Sequence, residues 1–133
     1  METPREPIHL VSAPDGVVSG SSRVRLVGVD SGRDWTGEME TWRRERLREL
    51  SAARLSGYVL KQDSPSCGVE GVRVDANGGA TRTGRGLFAQ ALLEAMPELP
   101  IEEEGRLHNG RVRERFLERV LEHHRELCLR TDR

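Results

Sequence analysis

One short stretch, Lys61-Gln62-Asp63-Ser64-Pro65-Ser66-Cys67-Gly68, brings together a thiol, two hydroxyls and a cation. A cysteine beside glycine, in a segment stiffened by proline, is held in place and open to reagents. Lys61 favours the thiolate, the form that attacks an electrophile or ligates a metal. Ser64 and Ser66 each add a donor and two acceptors beside the sulfur. The plain alternative is a turn whose serines and proline satisfy local hydrogen bonds around an inert thiol.

Other candidates are weaker. Gly84-Arg85-Gly86 precedes an apolar helical segment, and a helix N-terminus offers free N–H groups to an anion. The third glycine of a dinucleotide fingerprint is missing, so close backbone packing competes with phosphate binding as the reason for Gly84 and Gly86. Glu102, Glu103 and Glu104 could supply a general acid, but runs of glutamate are usually solvated. His123 and His124 are adjacent, and helix neighbours diverge by about 100°, so the two cannot chelate one ion together. Cys128 lies four residues beyond His124 and makes at most a two-ligand site.

These residues need elements to hold them. Ile8–Val11 and Val24–Val29 are β-type runs, with turn signals at Pro14-Asp15-Gly16 and again at Gly20-Ser21-Ser22, and they predict a hairpin-like pair. A helix follows, capped by Asp34 or Thr36, with Trp35, Met39, Trp42, Leu47 and Leu50 mostly on one face. Tyr58-Val59-Leu60 reads as a buried strand, which leaves the cysteine loop at its C-terminal end. Open α/β sheets place their ligands at that edge. Val72-Arg73-Val74 is a further short strand, ended by the turn signal 75–79. Leu87 to Met96 is a helix stopped by Pro97, and Pro100-Ile101 begins another extended piece. A third helix, 111–127, carries a stripe of Val112, Phe116, Val120 and Leu127, reinforced by Leu117 and Leu121. The alternation predicts an α/β class: a partial, Rossmann-like open sheet with helices on its faces, plus a C-terminal helix.

Composition bounds the rest. The chain has 133 residues, enough for one domain, with 35% hydrophobic and 32% charged residues. No apolar run approaches the roughly 20 residues that span a bilayer, and the N-terminus lacks the basic and apolar regions of a secretory signal. Two cysteines are too few for a disulfide framework and fit a reducing, cytoplasmic setting. A net charge of −1 gives no global pull on nucleic acid, so contact with RNA would rest on local cations such as Arg82, Arg85 and Arg106.

Lys61-x-x-Ser64-Pro65-Ser66-Cys67-Gly68, then Gly84-Arg85-Gly86, then Pro100-x-Glu102-Glu103-Glu104-Gly105-Arg106-Leu107, resembles the thiouracil/2-thiouridine desulfidase family. Pro4-Arg5-Glu6-Pro7-Ile8 and Gly32-Arg33-Asp34-Trp35-Thr36 fit the same pattern, and the resemblance spans about residues 3–125. It implies a non-redox enzyme with a 4Fe–4S cluster held by three cysteines. The open iron of that cluster binds the sulfur of thiouracil, or of 2-thiouridine in tRNA, while water replaces it. Carried over residue by residue, Cys67 is the cluster and metal ligand and Ser64 the catalytic hydroxyl. Lys61, Ser66, Gly84 and Gly86 are then expected around the substrate.

The departures are specific. The family's Cys-Leu-Leu-Gly and Cys-Pro-Glu motifs, with two ligands and a catalytic glutamate, have no counterpart here, and Cys128 matches no ligand. Residues 1–105 are thus read as the C-terminal two-thirds of a desulfidase-like domain. Residues 106–133 are read as a helical tail like the junction to an extra domain in longer relatives. An incomplete desulfidase, inactive alone, is the expectation. A non-enzymatic α/β remnant that binds a partner or nucleotide is the alternative. Losing a first strand would leave Tyr58–Leu60 as an open edge, which predicts a homo-oligomer. Cys67 is expected to react with iodoacetamide before Cys128, which is placed on or near the apolar stripe.

Overall fold

A computed structural model describes residues 6–131, so Pro4 and Arg5 lie outside the described residues. Alternating apolar residues draw the first two strands together. Strand β1 (Ile8–Ser19) pairs antiparallel with β2 (Ser22–Gly28), burying Leu10 against Val24 and Leu26. The turn between them falls at Gly20, whose φ of +63° suits glycine. Pro14-Asp15-Gly16 is not the turn but part of a bulge, with the register shifting between Ser12 and Val17. Val17 still finds a partner in Val24, so the intervening residues are extruded and the strand continues. Gly16 is needed there, because a side chain would run into the Val24 backbone.

Helix α1 (Thr36–Ala53) starts where Asp34 Oδ1 accepts the Thr36 N–H at 2.9 Å. The Thr36 hydroxyl instead accepts the Leu26 N–H at 2.8 Å and ties the helix to β2. Met39 and Leu50 are buried, but Trp42 remains 46% exposed, although its spacing places it on the apolar face. Strand β3 (Tyr58–Leu60) is followed by the cysteine loop, as the sequence predicts. Strands β4 (Val72–Ala76) and β5 (Gly79–Gly84) then form a hairpin across Asn77-Gly78. Helix α2 (Leu87–Ala95), strand β6 (Ile101–Glu103) and helix α3 (Gly110–Thr131) complete the order.

The six strands make the expected open α/β arrangement but divide into two hydrogen-bonded groups. One is a mixed sheet in the order β2-β1-β4-β5, and the other is the parallel pair β3-β6. Each group covers its own cluster. Leu10, Val24, Leu26, Met39, Val72, Val74 and Leu87 form the first. Leu50, Leu60, Phe88, Ala89, Leu92 and Leu99 form the second. Neighbouring residues of α2, Leu87 and Phe88, therefore enter different cores.

Helix α3 touches the body through Phe116, 7% exposed, which together with Val120 covers Gly57. Leu117 and Leu121 are 54% and 56% exposed and do not reinforce that stripe. Each sits one residue past a docked position, about 100° round the helix, and so points away. Among the described residues no helix is long and apolar enough to cross a membrane.

Candidate functional site

The cysteine loop is clamped between two elements. Asp63 opens it in the left-handed region at φ 62°, a conformation aspartate tolerates, and the Gly68 N–H closes it on the Ser64 carbonyl at 2.8 Å. Its carbonyls then occupy the start of α2. Gly86 N–H donates to Gly68 O at 2.7 Å, Leu87 N–H to Pro65 O at 3.0 Å, and Phe88 N–H to Ser66 O at 2.8 Å. A helix has four N-terminal donors without partners of its own, and here the loop satisfies them. Of the two readings of Gly84 and Gly86, close backbone packing is the one that fits: both are buried, and the first-turn donors are taken. A side chain on Gly86 would collide with the backbone of Ser66 and Cys67, and one on Gly84 would come within 2.9 Å of the Val72 carbonyl.

Hydrogen bonds inside the loop have a direction. The Ser64 oxygen accepts the Ser66 N–H at 3.2 Å and the Cys67 N–H at 3.1 Å, which uses both lone pairs. Ser66 Oγ donates to Cys67 Sγ at 3.5 Å, so its single proton is committed. The 3.0 Å contact between the two hydroxyls then runs from Ser64 to Ser66. A relay of two hydroxyls ends on the sulfur. Cys67 itself is half-buried, packed beside the second core.

Two adjacent glutamates, Glu103 at the end of β6 and Glu104 just after it, hold the loop's ends. Glu104 accepts the Gln62 N–H at 2.7 Å, and Glu103 accepts the Val69 N–H at 3.1 Å. The Gln62 bond holds the Glu104 carboxyl below its ordinary range, helped by the charge of exposed Lys61. Burial pushes the Glu103 carboxyl up, and Glu102, Asp63 and Glu70 add to that. The sequence reads the acidic run as solvated. Strand alternation in β6 turns Glu103 inward, and a period-two reading of that short segment is the signal that finds it.

A cavity of about 470 Å³ opens beside the loop, walled by Ile8, Leu26, Trp35, Met39, Trp42, Pro65 and Ser66, with Glu6 and Glu38 at its polar side. Trp35 is fixed there, its Nε1–H donating to Glu6 at 3.3 Å and its ring lying 3.7 Å beneath the Arg33 guanidinium. Trp42 packs edge-on against Phe88 at 5.3 Å. Sequence reasoning treats both tryptophans as helix-face residues and misses this wall.

The sequence pattern of the 2-thiouracil desulfurase family matches residues 1–104. The chain belongs to that family. The match contains the whole of the Ser64–Cys67 loop, the cavity and both glutamates that grip the loop. No curated protein and no solved structure matches the chain.

The cluster that resemblance to the desulfidases implies needs three thiolates, and the residues present do not fit it. Cys67 stands alone at the desulfurase loop, Cys128 is exposed on α3, and among the described residues no three His, Cys, Asp or Glu side chains form a metal-binding group. The expected placement of Cys128 on or near the apolar stripe is also corrected. Cys128 lies off the docked stripe, open to solvent, with its sulfur 3.6 Å from His124 Nε2. The three local arginines are engaged: Arg82 with Asp63, Arg85 with the Val69 carbonyl and Gln90, and Arg106 with Glu102.

Proposed function

We propose that the chain provides the serine–cysteine loop and the base-binding wall for removing sulfur from a thiolated uracil, free or within tRNA. The observation that carries this is the hydroxyl relay from Ser64 through Ser66 to Cys67, held rigid on α2 within a desulfurase-family match. In this reading Ser64 is the catalytic hydroxyl that orders the incoming water, whose oxygen replaces the ring sulfur and whose two protons leave with that sulfur as hydrogen sulfide, while Ser66 holds Cys67 in place. Cys67 is the loop residue that would ligate iron, and no step is assigned to a cluster that its lone thiol cannot hold.

The test is anaerobic incubation with iron and sulfide, followed by 2-thiouracil, reading both the loss of thiocarbonyl absorbance and the sulfide released. Turnover that disappears in Cys67→Ser and Ser64→Ala, and returns in Ser64→Thr, supports the enzyme. Binding of 2-thiouracil without turnover supports the alternative, a non-enzymatic binding module, which the single loop thiol favours. Absence of both binding and turnover rejects the two together.

A further inference from the structure

Helix α3 carries a second face that the body leaves open, and it lies outside the family match, which ends at residue 104. Phe116 and Val120 dock on Gly57, but Leu117, Leu121, His124 and Cys128 follow one another at spacings of four, three and four residues. At about 100° per residue these four fall within about 60° of the helix circumference, the seam spacing of a two-stranded coiled coil. All four are exposed, the two leucines by more than half. We propose that α3 pairs in parallel with the α3 of a second copy, and that the two His124–Cys128 pairs together hold one zinc ion. The inference stands apart from the desulfurisation reading.

The two donor atoms of one chain already stand at the edge of a tetrahedron. Cys128 Sγ lies 3.6 Å from His124 Nε2. Zinc bonds of about 2.3 Å to sulfur and about 2.0 Å to nitrogen, opened to the tetrahedral angle, set those two atoms about 3.6 Å apart. The other ring nitrogen is engaged, with Nδ1 3.3 Å from Ser56 Oγ. In the tautomer that donates from Nδ1 to Ser56, Nε2 keeps the lone pair that a metal takes, and the ring is held in orientation. One chain thus offers two of four ligands, and among the described residues no third His, Cys, Asp or Glu joins them. A second copy offers the same two. Two thiolates and two neutral imidazoles are a donor set that favours tetrahedral zinc, and each thiol gives its proton to the buffer on binding. Parallel pairing keeps like residues level, so Leu117 and Leu121 are covered by their counterparts as the four ligands converge.

The full chain, kept reduced with a phosphine under argon, is titrated with cobalt(II) in place of spectroscopically silent zinc. Strong visible bands of tetrahedral cobalt, with a thiolate-to-metal charge-transfer band in the near ultraviolet, should grow to an end point at about half an ion per chain. Zinc should then bleach them. The bands should persist in Cys67→Ser, which removes the loop thiol, and vanish in Cys128→Ser and in His124→Ala. Leu121→Ala keeps both ligands but uncovers the seam, and should weaken binding at least about tenfold. An end point at one ion per chain overturns the proposal, as do the weak bands of six-coordinate cobalt. Bands that survive Cys128→Ser, or that are lost in Cys67→Ser, overturn it equally, and so does an affinity unchanged by Leu121→Ala. The desulfurisation reading survives each of these outcomes.

Discussion

Because the Ser64 oxygen accepts two backbone N–H groups, replacing it acts on the loop as well as on any reaction. Ser64→Ala leaves those donors without their partner and should lower stability by about 1–3 kcal/mol in urea titrations. Ser64→Thr keeps the oxygen and should restore most of that loss, which separates loop architecture from proton handling. Glu103 gives a pH signature of the opposite sign to most carboxylates. Its folded-state pKa is raised by burial, so its contribution to stability is present below the ordinary carboxylate range and is lost as pH rises through the raised value. Glu103→Gln keeps an acceptor for the Val69 N–H and carries no charge. It should therefore be more stable than the parent at neutral pH, with the gain vanishing in acid, when melting is followed at both pH values.

Helix α3 has Phe116 as its apolar anchor, with polar contacts from Ser56 to His124, Arg54 to Leu127 and Glu98 to Arg130 further along. Phe116→Ala should cost about 3–5 kcal/mol if α3 unfolds with the body, whereas Leu117→Ala and Leu121→Ala should stay within about 0.5 kcal/mol. Thermal melts monitored by circular dichroism distinguish the two classes. The same helix shows how far an apolar pattern can be read. Phe116 and Val120 were legible as a buried stripe, but the exposure of Leu117 and Leu121 was not, since only tertiary packing at Gly57 decides which row docks. Strand β5 was invisible for a different reason. Its Ala80, Thr81, Arg82 and Thr83 are all exposed, so no alternation marks them, and only pairing to β4 makes them a strand. The cysteine loop was legible because its residue types are unusual together. The grip of Glu103 and Glu104 on its ends, and the tryptophan wall, were not, because both depend on which way β6 and α1 turn their side chains.

At the scale of the molecule, α2 joins the two cores, placing Leu87 in one and Phe88 in the other. Unfolding should accordingly be a single transition, with tryptophan emission and far-ultraviolet dichroism coinciding along a urea titration. Phe88→Ala, at a site 1% exposed, should cost about 3–5 kcal/mol and move both signals together; a split between them would show the cores to be independent. Strand β3 pairs with β6 alone, and Val59 is 48% exposed. Association along that edge would persist in the presence of thiol reductants. The open sulfur of Cys128 has a separate expected effect: oxidation by dissolved oxygen should join two molecules through a disulfide between their α3 helices. A doubled band on a non-reducing gel, lost on adding dithiothreitol and absent from Cys128→Ser, would identify that species. Every measurement of assembly state on this protein must therefore be made with the tail thiol blocked.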